Sequence, residues 1–160
     1  MNEYVKNLNR IEFVVTMACT GRCKHCSEGE HVNCKGHIDD DIAVTSIREV
    51  CKNYRIESLM TFGGEPLLYP EVVCTIHRTA AEMGIGKRQL ITNGFFSNKH
   101  ERIKEVVKNL QDSGVNELLL SVDAFQQETI PIEPVKYVAE CVAESKIHIK
   151  VSPACLVRED

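Results

Sequence analysis

The chain has 160 residues, of which 43% are hydrophobic and 26% charged, a balance typical of one globular domain. Lys and Arg total 19 and Asp and Glu total 23, so the formal net charge of −4 argues against a nucleic-acid-binding surface. The sequence contains neither an apolar run of the roughly 20 residues that a membrane-spanning helix needs nor an apolar N-terminal signal, so we expect a cytoplasmic protein without a membrane partner.

Short apolar segments recur along the chain and indicate strands. Five such segments occur, at residues 11–16, 58–62, 89–92, 118–122 and 147–151. Several are almost continuously apolar, as is typical of parallel strands that are covered on both faces.

Between these segments, apolar residues recur at the three- and four-residue spacing of helices. The predicted helices cover residues 42–54, 72–83, 103–110 and 135–142, and three aspartates at 39–41 suit the positive N-terminal end of the first. The last four strands start about 30 residues apart, the length of one βα unit. The alternation predicts an α/β fold with a parallel sheet, either open or part of a barrel.

The eight cysteines are unevenly distributed. Cys51 and Cys141 fall on the apolar faces of predicted helices and are expected in the core, whereas Cys74 lies beside such a face and stays undecided. Cys34 and Cys155 are on loops. They would be extra ligands or substrate-linking thiols, or would have no role.

The other three cysteines, Cys19, Cys23 and Cys26, have CxxxCxxC spacing on one long loop after the first strand. Three thiolates can hold three irons of a [4Fe–4S] cluster, which leaves the fourth iron open to an exogenous ligand. The alternative is a zinc site, whose fourth ligand would be one of four residues: Cys34, His25, His31 or His37.

In parallel α/β folds, working residues follow the carboxyl ends of the strands, which meet at one edge of the sheet. The loops there contain Gly63-Gly64-Glu65, Thr92-Asn93-Gly94, Ser121-Val122-Asp123 and residues 152–155. A glycine pair lets backbone approach a ligand closely, and the Glu65 carboxylate offers a partner for a cation such as an amino group.

The segments CTGRCKHC, TFGGEPLLYPE, ITNG and LLLSVDAF together resemble the radical S-adenosylmethionine (SAM) superfamily, and the resemblance extends over residues 11–151. It implies a partial, TIM-like (β/α) barrel, with about five βα units in this chain. Residues 1–160 are then a single core domain, which we expect to stop before a sixth strand and a C-terminal extension.

The resemblance also implies site residues. Cys19, Cys23 and Cys26 would ligate a [4Fe–4S] cluster whose open iron is chelated by SAM. The residues that would contact SAM are Gly63, Gly64 and Glu65 at its amino group, Ser121 or Asp123 at its ribose or carboxylate, and Thr92, Asn93 and His25 along the same cleft. No basic residue directly follows the fourth strand, which leaves Lys136, Lys150 or a backbone donor for the carboxylate of SAM.

The implied reaction is reductive cleavage of SAM to methionine and a 5′-deoxyadenosyl radical, which abstracts hydrogen from an unidentified small-molecule or peptide substrate. An electron donor such as flavodoxin or ferredoxin would be a partner. Two alternatives are an activase for a glycyl-radical enzyme, and a non-catalytic iron–sulfur or zinc module whose cysteines only brace a loop.

Overall fold

Five strands alternate with four helices in the computed structural model, which describes residues 6–29 and 33–154. The strands are β1 (Arg10–Thr16), β2 (Ser58–Gly63), β3 (Lys87–Thr92), β4 (Glu117–Ser121) and β5 (His148–Ser152). The helices are α1 (Asp40–Asn53), α2 (Pro70–Glu82), α3 (His100–Asp112) and α4 (Ile132–Ala143). These elements confirm the predicted ones, with each end within three residues of its expected position.

The strands form one sheet in the order β1-β2-β3-β4-β5, and every neighbouring pair is parallel. The predicted α/β fold is therefore confirmed, and the sequential strand order is that of part of a (β/α) barrel. Because all the strands run the same way, their carboxyl ends and the loops that follow lie on one edge of the sheet.

The helices are amphipathic and pack their apolar faces on the sheet. Asp39 is the N-cap of α1, and its Oδ1 accepts a hydrogen bond of 3.0 Å from the N–H of Ile42. α3 buries its apolar stripe, which consists of Ile103, Val106, Val107 and Leu110. Among the described residues, no helix is both long and apolar enough to span a bilayer.

Three cysteines contribute to the core between sheet and helices. Cys74 is buried in it, and Cys51 and Cys141 are partly buried against it. The expectation for Cys51 and Cys141 is thus confirmed, and the undecided Cys74 is a packing residue.

The core also contains one buried imidazole. His77 of α2 is fully buried, and its Nε2 shares a hydrogen bond of 2.9 Å with Oγ1 of Thr61 on β2. Its Nδ1 has no hydrogen-bond partner among the described residues. Burial, and to a smaller extent the positive charge of Arg88, lower the pKa of His77 from 6.5 to about 3.

Candidate functional site

A cleft of about 210 Å³ opens at the carboxyl edge of the sheet, between the loops that follow β1, β2, β3 and β4. It brings together all the predicted site residues except Glu65 and Asp123. Its lining consists of Cys19, Cys23, His25, Cys26, Ser27, Glu28, Phe62, Gly63, Gly64, Ile91, Thr92, Asn93, Ser121 and Gln126. The β5 loop adds none of the described lining residues, and Cys155 lies outside the described part of the chain.

The three clustered cysteines lie on one side of this cleft. Burial raises the pKa of Cys19, and burial followed by the charges of Cys19 and Cys26 raises the pKa of Cys23 to about 11. Neighbouring thiols oppose one another's ionisation in this way unless a cation compensates the charge. A cation bound among these thiols would compensate the charge of the thiolates and favour their ionised form.

Of the described residues named as a fourth zinc ligand, His25 lines the cleft with these cysteines, whereas His37 and Cys34 do not. His37 packs against Tyr69 with ring centres 4.7 Å apart. His31 lies outside the described residues. Within residues 6–29 and 33–154, no three His, Cys, Asp or Glu side chains, those of Cys19, Cys23 and Cys26 included, are placed to hold one metal ion. In a [4Fe–4S] cluster each thiolate would bind a different iron.

Gly63, the last residue of β2, and Gly64 lie against the base of the cysteine loop. A Cβ on Gly64 would be 2.2 Å from the carbonyl oxygen of Ala18, and one on Gly63 would be 2.4 Å from that of Thr16. Gly63 also has a φ of +135°, which favours glycine. The glycines thus allow the loops after β1 and β2 to meet, besides exposing backbone to the cleft.

Glu65 lies behind the wall of the cleft. Its side chain is fully buried, and Oε1 accepts hydrogen bonds from the N–H of Leu67 (2.9 Å) and the hydroxyl of Thr92 (2.7 Å). Oε2 accepts one of 2.8 Å from the N–H of Asn93. Burial raises the pKa of Glu65 to about 7, although these hydrogen bonds act in the opposite direction. The carboxylate thus joins the loops after β2 and β3, and its expected contact with a ligand amino group stays a prediction.

Asp123, after β4, is likewise held by backbone N–H groups that donate to its carboxylate. Its Oδ1 accepts a hydrogen bond of 2.9 Å from the N–H of Gln126, and its Oδ2 accepts one of 3.3 Å from the N–H of Ala154. Oδ2 is also 3.4 Å from Nε2 of His25, whose ring packs on Phe125 at 4.8 Å. The carboxylate therefore links the loops after β1, β4 and β5, and Ser121 is the predicted residue of this pair that faces the cleft.

Asn93 connects the end of β3 to the cysteine loop. Its Nδ2 donates to the hydroxyl of Thr20 at 3.2 Å and to Sγ of Cys19 at 3.6 Å. The TNG segment thus contacts the first of the clustered cysteines directly.

Comparison with known proteins identifies the family. The sequence profile of the Radical SAM superfamily matches residues 13–151. The chain belongs to the radical SAM superfamily. Members of this class of enzymes use a [4Fe–4S] cluster and SAM.

Curated relatives include two GTP 3′,8-cyclases. The enzyme of Moorella thermoacetica is 26% identical over 129 residues, which cover 78% of this chain and 38% of that protein. The enzyme of Geobacter sulfurreducens is 27% identical over 135 residues, with 81% and 38% covered. The chain therefore spans less than half the length of these relatives.

Solved structures of radical SAM proteins share the fold. Native anSMEcpe with bound AdoMet superposes with a TM-score of 0.67 at 17% identity, over 89% of this chain and 43% of that one. BtrN in complex with AdoMet and 2-DOIA superposes with a TM-score of 0.57 at 14% identity, over 91% of this chain and 56% of that one. These likenesses support the architecture and its partial-barrel character.

Five cleft residues were not predicted: Ser27, Glu28, Phe62, Ile91 and Gln126. Gln126 lies in a three-residue 3-10 turn (Gln126–Glu128) after β4, and its Nε2 donates to Oγ of Ser121 at 2.9 Å. The sequence offers no signal for it, because Gln127 is adjacent and identical, yet Gln126 is buried and Gln127 is exposed.

The lysines considered for the carboxylate of SAM are placed elsewhere. Nζ of Lys136 is 2.9 Å from Glu133 on α4, and Nζ of Lys150 is 2.6 Å from Glu117 on β4. Neither lysine lines the cleft.

The donor chemistry of the cleft suits the two cofactors of the superfamily. Three thiols lie on one side, the backbone of Gly63 and Gly64 is exposed on another, and Gln126 presents a buried amide oxygen without a partner in the described structure. Thiolates suit iron, and exposed backbone and amide groups suit the polar groups of a nucleoside ligand.

Proposed function

We propose that this chain is the core of a radical SAM enzyme, in which Cys19, Cys23 and Cys26 hold a [4Fe–4S] cluster and SAM occupies the adjoining cleft. The observation that carries the proposal is that all three thiols line the same cleft as the ends of β2, β3 and β4. Cluster and SAM must be neighbours for the open iron to be chelated, and one cleft with both kinds of lining meets that requirement.

When bound, the cluster and SAM supply one-electron reductive cleavage of SAM and, from it, hydrogen abstraction from a substrate. The role of the chain's own residues is to bind SAM and to orient it. Gly63 and Gly64 offer backbone without side chains to the amino end of SAM, while Glu65 holds the loops after β2 and β3 together from behind.

His25 forms the wall for the adenine end. Its ring is held between Phe125, at 4.8 Å, and Asp123, at 3.4 Å, so its orientation is fixed before a ligand arrives. A flat ring fixed beside the third cysteine can stack on a base.

The substrate and the electron donor are inferred from the relatives and from the chemistry of the superfamily, rather than from the cleft residues. GTP 3′,8-cyclases are among the relatives, and one structural neighbour is described with a bound peptide, Cp18Cys. The proposal therefore assigns a small molecule or a peptide as substrate, and a flavodoxin- or ferredoxin-type protein as electron donor.

Anaerobic reconstitution with iron and sulfide tests the proposal. We expect about four irons per chain, a visible iron–sulfur absorption, and a paramagnetic spectrum of the reduced protein that changes when SAM is added. Cys19→Ala, Cys23→Ala and Cys26→Ala should each lose the cluster and keep the circular dichroism of the folded chain.

Cys51→Ala is the matched control, since Cys51 packs against the core on α1 and should leave the iron content unchanged. An intact cluster in any of the three variants would refute the ligand assignment. Unfolding of Cys23→Ala, or stoichiometric zinc in place of iron, would favour a loop-bracing module over an enzyme.

A further inference from the structure

Glu28 places a carboxylate in the cleft without a cationic partner. Among the described lining residues it is the one carboxylate, and these residues include neither a lysine nor an arginine. Within the described structure, Glu28 is half-buried, forms no ion pair and accepts one long hydrogen bond, of 3.5 Å, from the hydroxyl of Ser27. A carboxylate that is partly withdrawn from water favours a cation beside it. The cleft therefore has a place for a positive group.

Two consecutive turns hold this carboxylate in position. The N–H of Cys26 donates to the carbonyl of Cys23 at 3.2 Å, and the N–H of Gly29 donates to the carbonyl of Cys26 at 3.3 Å. Gly29 closes the second turn with a φ of +80°. Glu28 lies inside that turn, so its backbone is fixed before a ligand binds.

The other two carboxylates at this edge of the sheet are already occupied. Three donors bind the carboxylate of Glu65, and two backbone N–H groups bind that of Asp123. Besides burial, the negative charges of two neighbouring cysteines and of Asp123 raise the pKa of Cys23, so the surroundings of the cleft are negative. Glu28 is thus the carboxylate left to pair with an incoming cation, in surroundings that attract cations and repel anions.

The same cleft has an apolar floor. Thr61 of β2 pairs with Leu90 of β3, and both side chains are buried on the face of the sheet that packs on the helices. Side chains alternate along a strand, so the next residues, Phe62 and Ile91, face the opposite side, where both line the cleft. Neither is fully buried, so an apolar group of a ligand can pack on them. The carboxylate and the apolar floor together suit a ligand with an alkyl chain that ends in a cation.

We propose that Glu28 binds a cationic group of the substrate, an alkyl ammonium or a guanidinium, and so selects a basic substrate over an anionic one. The inference rests on the proposed function, since it places the substrate beside the cluster and SAM in this cleft. It narrows the substrate class from small molecules and peptides in general to those that carry a positive charge.

Three probes of equal chain length test the charge: n-pentylamine, 1-pentanol and pentanoate, each added to the reconstituted chain with SAM bound. Saturation-transfer NMR measures their binding with the cluster oxidised, so that SAM stays intact. The wild-type chain should bind the amine roughly tenfold more tightly than the alcohol, the value of a hydrogen bond to a charged group, and the anion more weakly still. N-acetyl-lysine methylamide carries the same ammonium on a peptide backbone, so tighter binding than that of pentylamine would assign a peptide side chain, and weaker binding a free amine.

Glu28→Gln keeps the shape and removes the charge, so it should lose the preference for the amine while it binds SAM as the wild type does. Glu28→Asp keeps the charge and should keep the preference, so it decides the question if Glu28→Gln fails to take up the cluster. Glu128→Gln is the matched control, because it removes the same charge from an exposed residue that pairs with Lys24 outside the cleft lining. Its preference should stay within about twofold of the wild-type value.

Equal binding of the three probes, or no binding of the amine, would overturn the inference alone. So would a preference that persists in cluster-loaded Glu28→Gln, a preference lost in Glu28→Asp, or weaker binding of SAM by Glu28→Gln, which would assign Glu28 to SAM. Failure of the wild-type chain to hold a cluster or to bind SAM would overturn the proposed function and the inference with it.

Discussion

Oε2 of Glu65 accepts a hydrogen bond of 2.8 Å from the backbone N–H of Asn93, and so joins the loop after β2 to the end of β3. Its Oε1 accepts from Leu67 and Thr92. One carboxylate thus satisfies three buried donors, and its loss would leave all three unpaired.

We therefore expect Glu65→Ala to lower the free energy of unfolding by about 3–5 kcal/mol, because three buried donors lose their acceptor and each unpaired donor costs about 1–3 kcal/mol. Glu65→Gln keeps the shape but turns an amide N–H₂ group towards a donor, and should cost about 1–3 kcal/mol. Urea unfolding followed by circular dichroism measures both. Glu82→Gln, half-exposed on α2, is the control and should change stability by less than about 0.5 kcal/mol; equal losses at both positions would contradict the interpretation.

The packing of Gly64 against the cysteine loop predicts a steep cost for a single methyl group. Gly64→Ala places a Cβ 2.2 Å from the backbone oxygen of Ala18, so the loops must separate. We expect the free energy of unfolding to fall by at least about 2 kcal/mol and the cluster to be retained less well on gel filtration. Gly86→Ala is the matched control, because a Cβ there meets nothing within 4 Å; a tolerated Gly64→Ala would show that the loop moves away freely.

The contact between Asn93 and Cys19 predicts a redox effect, provided that Cys19 ligates the cluster. Hydrogen bonds to cluster sulfurs favour the more negative, reduced form, so Asn93→Ala should lower the reduction potential. A bond of roughly 1 kcal/mol corresponds to about 40 mV in a one-electron couple. A redox titration followed by paramagnetic resonance measures the shift, and Asn109→Ala, exposed on α3, should leave the potential unchanged. A potential unchanged in Asn93→Ala would mean that this bond does not tune the cluster.

The buried His77 predicts loss of stability in acid. Its pKa is about 3 in the folded chain against an ordinary 6.5, so the unfolded state takes up the proton first as the pH falls. The contribution of His77 is fully present above pH 6.5 and declines towards pH 3, by roughly 1.4 kcal/mol per pH unit.

His77→Gln should flatten this dependence, because an amide keeps a partner for Thr61 and does not titrate. Urea unfolding of the metal-free chain at several pH values between about 4 and 7 measures how the free energy of unfolding depends on pH. His148→Gln, on an exposed position of β5, should retain the wild-type slope. The same slope in His77→Gln and wild type would assign the acid sensitivity to other groups.

Sequence alone predicted the strands, the helices and the edge where the site lies, because apolar periodicity and parallel topology both have strong signals. It also selected the three cleft cysteines by their spacing. It did not predict that the carboxylates of Glu65 and Asp123 are buried and accept hydrogen bonds from neighbouring loops. A carboxylate after a strand looks the same in sequence whether it faces a ligand or a backbone N–H, and the donors that hold these two come from distant segments, at Asn93 and Ala154. Gln126 was missed because a turn of three residues decides its burial.

The strand order of the sheet is also the order in which a ribosome would deliver the strands. The cysteine loop emerges first, and the residues that support it follow in turn: Gly64 and Glu65, then Asn93, then Asp123. While the chain is still being synthesised, the thiols therefore stand on a loop without its neighbours. If Cys19, Cys23 and Cys26 ligate the cluster, the loop that holds it receives its last support only when β4 and Asp123 have docked, although the ligands are among the first residues made.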